Sequence, residues 1–247
     1  MLSFEQFCVE ILKTGDIDPD YLFYKNMTQD FTEQVLFDLI HIKLCVYKTE
    51  SELLIKFHGK GFDDVKYGAE RNKSKRTAEK TYLNIKALHK KMPYEQFKMK
   101  TNGLSYRTFN KFVKQANGIG DWASWKYADI LNQVLGFKIQ FSANDFILGY
   151  EYPLKGLLLV SGKPENVSLY KDIGEFKKDV NSLEKRLSAI QGKYVDMFDP
   201  TCAAEYETLL CKYHSYVHGH YKPQEDITKL RKIGENKFLV DFHKYLP

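Results

Sequence analysis

Apolar residues recur at helical spacing along most of this chain, and the interruptions are Gly, Pro, Asp and Asn, which end and start helices. No strand-rich region and no internal repeat interrupts that pattern. Phe4, Phe7, Cys8, Ile11 and Leu12 mark a helix over 3–13. Gly15-Asp16-Ile17-Asp18-Pro19 ends it and opens the next, since Pro is tolerated in a first helical turn. The run from Phe31 to Tyr47 reads as a buried helix, and 49–58 as a short one. A long basic helix is expected over 69–92, stopped by Pro93, with shorter ones over 93–100 and 104–116. Helices over 120–135, 172–191 and 201–220 follow, with a brief extended segment at 137–143 and an apolar run from Leu154 to Val160. The fold expected is mainly α.

Charge narrows the partner. The net charge is only +5. Residues 1–55, however, hold 4 basic and 10 acidic side chains, whereas 56–114 hold 16 basic and 5 acidic. The basic block ends at a Gly-x-Gly turn, Gly118-Ile119-Gly120, which leads into a helix starting near Asp121. Such a turn aims backbone N–H groups outward, where an anion can sit. A local basic excess beside an anion-binding turn points to a polyanion, and DNA phosphate fits both. Four scattered cysteines (Cys8, Cys45, Cys202, Cys211) do not form a disulfide framework, so a reducing, cytoplasmic compartment is expected. The start of the chain lacks a basic stretch followed by an apolar run, and no apolar segment approaches the ~20 residues of a membrane span. No Gly-x-x-x-x-Gly-Lys-Ser/Thr occurs, which argues against a P-loop kinase.

Asn117-Gly118-Ile119-Gly120-Asp121-Trp122-Ala123-Ser124 resembles the helix-hairpin-helix of the DNA glycosylase superfamily, and the spacing to Asp145 resembles the position of that family's catalytic aspartate. The resemblance implies a DNA phosphate, often with a monovalent cation, on the amides of Gly118, Ile119 and Gly120. Lyase-type members carry a lysine where Trp122 stands, so Schiff-base strand cleavage is not expected. The cysteines also lack the clustering of iron–sulfur members.

A broader resemblance covers most of the chain. Thr14-Gly15-Asp16-Ile17-Asp18-Pro19-Asp20-Tyr21 is similar to the opening motif of the phage amino acid:DNA transferases, also called α-glutamyl/putrescinyl-thymine pyrophosphorylases. Gly120 to Asp129 resembles their central motif and Tyr152 to Gly156 the segment after it. Glu207-Thr208-Leu209-Leu210-Cys211-Lys212, then His218-Gly219-His220-Tyr221 and Asp226-Ile227, resembles their C-terminal motif. The resemblance implies a single glycosylase-like helical domain over 1–247, with the helix-hairpin-helix around 104–135 and a C-terminal helical extension over 165–247. It implies a reaction in a phage-infected host cell. An upstream DNA kinase would convert 5-hydroxymethyluracil in double-stranded DNA to its pyrophosphate ester, and this enzyme would displace the pyrophosphate with the amine of a free amino acid.

That chemistry needs four things. The leaving pyrophosphate, whose charge grows as it departs, needs cations; Arg71, Lys75, Arg76 and Lys80 suit this, with His218, His220, Tyr221 and Lys212 as further candidates. The amine, with a pKa of roughly 8 or higher, needs a base; Asp145, Asp16, Asp18 and Glu207 are candidates. The amino acid's carboxylate needs a cation, for which Lys126 or Lys212 would serve. The target base must leave the stack and meet aromatic rings; Tyr21, Trp122 and Trp125 are candidates, with Tyr221. Mg2+ with the pyrophosphate is compatible chemistry, yet no carboxylate cluster demands it. Cys211, His214 and His218 have zinc-like spacing, but packing or polar roles are commoner for such residues, and no metal ligand is assigned. The competing readings are a monofunctional DNA glycosylase using Asp145 and a DNA-binding module without chemistry.

Overall fold

The computed structural model describes residues 1–68, 75–148, 150–192 and 199–247, with the backbone alone at Lys75 and at 146–148. Among the described residues the elements are α-helices and short 3-10 turns, with a single isolated parallel bridge between Ser105 and Gln140 and no strand. The mainly-α expectation is therefore met, and the extended segment at 137–143 is reduced to that bridge. No helix among the described residues is long and apolar enough to cross a membrane.

Backbone contacts divide the chain into two compact units, each assembled from distant segments. One comprises Met1–Pro19 and Phe141–Thr228; the other comprises Asp20–Gln140 and Lys229–Pro247. The 165–247 stretch is shared between them.

In the first unit, α1 (Phe4–Thr14) starts at a capping box in which Ser3 and Gln6 exchange hydrogen bonds. Its buried face of Phe4, Phe7, Cys8, Ile11 and Leu12 is the apolar stripe of the sequence. Phe4 and Phe7 meet Tyr213 at ring-centroid distances of 5.2 and 5.3 Å, on α11 (Ala203–Val217). Arg186, on α10 (Ile173–Gln191), holds Glu5 at 2.6 Å and donates to the Val160 carbonyl at the end of α9 (Glu151–Val160). Helices α9 and α11 pack together most closely. A Cβ on Gly156 would lie 2.3 Å from the Leu210 carbonyl oxygen, so only glycine permits this approach.

In the second unit, α3 (Glu33–Val46) is the centre, packed against α4 (Thr49–His58), α5 (Lys75–Lys91) and α8 (Asp121–Leu135). It is buried along most of its length, as expected for the Phe31–Tyr47 run. α2 (Pro19–Met27) precedes it; α6 (Tyr94–Thr101) and α7 (Tyr106–Val113) link α5 to α8. Phe31, Phe57, Phe242 and Tyr245 form an aromatic cluster that fastens the chain's last segment to this unit. The remaining helix, α12, spans Glu225–Arg231.

Candidate active site

The Gly-x-Gly turn joins α7 to α8. Gly118 has φ +105°, and a Cβ there would lie 2.3 Å from Thr81 Oγ1 on α5. Gly120 is the N-cap of α8, and Gly118 and Gly120 are both exposed while Ile119 is buried. The turn is braced: Asp121 accepts from Lys114 Nζ (2.6 Å) and Asn110 Nδ2 (2.8 Å), and Tyr106 donates to the Asp121 carbonyl (3.1 Å). Lys114 and Asn110 hold the Asp121 carboxyl below the usual range.

Trp122, Lys126 and Asp129 are four and three residues apart and share one face of α8. Trp122 is half-buried, and Lys126 and Asp129 are 8% and 2% exposed. Tyr21 donates to Asp129 Oδ2 at 3.1 Å. Trp122 meets the Tyr47 ring edge-on at 4.8 Å. Tyr47 is one of two non-glycine residues among those described with positive φ (48°), the left-handed C-cap of α3, its N–H donating to the Lys43 carbonyl. Trp125 has no exposed surface and packs on Tyr106 at 4.9 Å, so it belongs to the core and not to a base pocket.

Behind Tyr47 lies a buried charge cluster. Lys43, 2% exposed, sits 4.7 Å over the Tyr47 ring and pairs with Asp20 at 2.5 Å. It lies 3.7 Å from Glu52, which has no exposed surface and accepts a short hydrogen bond from Tyr24. Complete burial, reinforced by the Asp20 charge, pushes the Glu52 carboxyl well above the usual range. Lys43, Tyr47, Glu52 and the Tyr21–Asp129 hydrogen bond were not expected from the sequence. One signal was available for the first: Lys43 is a lone cation in a strongly apolar helix.

In the other unit the opening and C-terminal motifs meet. Asp16 is fully buried; Ile227 N–H donates to its Oδ1 (2.7 Å) and Tyr221 donates to its Oδ2. Lys212 donates to the Asp16 carbonyl (2.5 Å) and pairs with Asp226 (2.6 Å), its ammonium 4.9 Å from the Tyr221 ring centre. Burial, then the Asp16 bond, push the Tyr221 hydroxyl upward, so it stays protonated and donates. Thr208 donates to Asp18 Oδ2 (3.1 Å), beside buried Glu207. With both oxygens of Asp16 engaged and Lys212 paired, this cluster reads as a lock between distant segments. Asp145 is 2% exposed and its Oδ2 accepts from Ser142 N–H (2.8 Å), a side chain reaching back three residues as in a capping box at the start of the 3-10 turn over Ala143–Leu148.

Of the pyrophosphate candidates, Arg76 and Lys80 are exposed on α5. Arg71 lies outside the described residues, as does the side chain of Lys75. His218 and His220 are exposed just past the end of α11.

A family model described as amino acid:DNA transferase matches residues 24–222. A protein of Pseudomonas phage PaMx11 named glycinyltransferase is 23% identical over 267 aligned positions, which cover 94% of this chain and 90% of its relative. The family model spans most of the chain, beginning just after the Thr14–Tyr21 motif and ending just before Asp226-Ile227. The chain therefore belongs to the amino acid:DNA transferase family, enzymes that act on DNA with an amino acid.

Proposed function

We propose that this enzyme transfers an amino acid, glycine as the first choice, to 5-pyrophosphoryloxymethyl-uracil in double-stranded DNA and releases pyrophosphate. The α8 stripe of Trp122, Lys126 and Asp129, opening from the Gly-x-Gly turn, carries this reading. The glycine choice rests on the name of the phage relative. The exposed Gly118 and Gly120 backbone takes a DNA phosphate, and the exposed cations of α5 run along the duplex backbone. Trp122 and Tyr47 offer ring faces to an extruded base. Lys126 holds the amino acid's carboxylate. Asp129, oriented by Tyr21, takes the amine's proton.

In the reaction the neutral amine attacks the methylene carbon at uracil C5. The C–N bond forms as the C–O bond to pyrophosphate breaks. The resulting secondary ammonium then gives a proton to the departing pyrophosphate, because the carboxylate already holds the one taken from the incoming amine. The substrate's pyrophosphate ester requires an earlier phosphoryl-transferring enzyme acting on 5-hydroxymethyluracil in DNA.

Asp145 is the second base considered, favoured by its burial and its position just after α8. Asp129→Asn should lower turnover at saturating amino acid at least about 100-fold, the lower range of general-base contributions, while DNA affinity stays within a factor of two or so. Asp145→Asn, whose amide oxygen still accepts from Ser142, should keep most of its turnover. The reverse pattern would transfer the base role to Asp145.

A further inference from the structure

His214 and His218 stand one helical turn apart on α11, and both approach Glu165, which lies in the turn after α9. His214 Nε2 is 2.8 Å from one Glu165 oxygen, and His218 Nε2 is 3.3 Å from the other. All three ligand atoms lie within 4.8 Å of one another. A tetrahedral site with bonds of ~2.0–2.1 Å has ligand–ligand edges of about 3.3 Å. One carboxylate separation matches that edge and the other is shorter, so small side-chain rotations would close the set on one ion.

The tautomer of His218 sharpens the point. Its Nδ1 is 2.8 Å from the His214 carbonyl oxygen, which can only accept, so Nδ1 carries the hydrogen. In the neutral ring Nε2 then presents its lone pair toward a carboxylate oxygen. A proton or a metal ion can bridge a nitrogen and a carboxylate oxygen so placed. An Nδ1–H bonded to a backbone carbonyl is also the outer-shell arrangement that orients a metal-binding histidine. The ring of Tyr152 flanks His214 at 5.3 Å, and His214 itself is 7% exposed, so this ligand is held in place by packing.

We infer that Glu165, His214 and His218 form a site for a divalent first-row transition ion of the zinc class. It would clip the turn after α9 to the last turn of α11, with water completing the coordination on the exposed side of His218. The ligand set differs from the Cys-x-x-His-x-x-x-His spacing visible in the sequence: Glu165 takes the place of Cys211. The clip's last ligand, His218, opens the His218–Tyr221 segment, whose Tyr221 closes the Asp16 lock.

The test uses the purified full chain, stripped of metal, and Zn2+ titrated against a chromophoric chelator, with Co2+ as a spectroscopic probe. One ion should bind per chain and raise the thermal midpoint. The Co2+ spectrum should show d–d bands without thiolate charge transfer. His218→Ala and Glu165→Gln, both outside the core, should each weaken Zn2+ by more than about 100-fold, beyond the 10–100-fold range of outer-shell changes. Far-UV circular dichroism checks that the variants are folded. Cys211→Ser should bind as the parent does. The inference is overturned if no ion is retained, if either ligand variant binds as tightly as the parent, or if Cys211→Ser removes a thiolate band. None of these readouts depends on transferase activity.

Discussion

Gly118 shows how the fold alone can dictate a residue. Its φ of +105° is a conformation L side chains rarely adopt, and Thr81 fills the space where a Cβ would sit. Gly118→Ala should destabilise the protein by ~1–3 kcal/mol, read as a lower urea midpoint. Adding Thr81→Ala should restore only part of it, because the steric conflict is relieved and the backbone strain remains. An unchanged midpoint in the single variant would show that the turn yields at no cost. This glycine pair was legible in the sequence because a local backbone need writes itself into adjacent residues. The Lys43 cluster was not. Its partners come from positions 20, 24, 47 and 52, and only the fold brings Asp20, Tyr24 and Tyr47 around that ammonium. Trp125 is the converse case: an aromatic in the right motif whose side chain faces the core.

At the scale of elements, α3, α5 and α8 meet through three polar side chains in an apolar setting. The His41 and His89 rings stack at 4.4 Å, and Tyr127 lies 2.7 Å from His41 Nε2 and 3.2 Å from His89 Nε2. Burial holds His41 well below the ordinary histidine value of 6.5 and brings His89 down to about 4. Between those values the unfolded chain binds protons that the folded chain refuses. Their stabilising contribution is therefore full above pH 6.5 and is lost as pH falls toward 4. Glu52, pushed upward, works in the opposite direction, so the comparison between variants is the readout. The urea midpoint should fall less between pH 7 and pH 5 for His89→Gln than for the parent; identical slopes would remove His89 from the acid response. Most helices were legible from periodicity, but α12 was not expected and α9 was visible only as an apolar run. Boundaries were less so: α9 begins at Glu151, ahead of the Leu154–Val160 run, because Pro153 fits a first turn where its missing N–H has no partner to lose.

Over the whole molecule, charge and motif order were the readable quantities. The basic excess of residues 56–114 falls entirely within the unit that carries the Gly-x-Gly turn and the α8 stripe. The opening and C-terminal motifs, nearly 200 positions apart, are one feature in space: Asp16 is held by Lys212, Tyr221 and Ile227. The division into two units was not legible, because each is built from two segments far apart in the chain. The central claim is that the enzyme joins an amino acid to a modified base and leaves the glycosidic bond intact. The direct measurement is mass spectrometry of nucleosides digested from pyrophosphorylated hydroxymethyluracil DNA after incubation with the enzyme and 15N-glycine. A nucleoside carrying the label, formed one-for-one with free pyrophosphate, is the predicted result. Abasic sites with released base, or DNA bound and recovered unchanged, would contradict it.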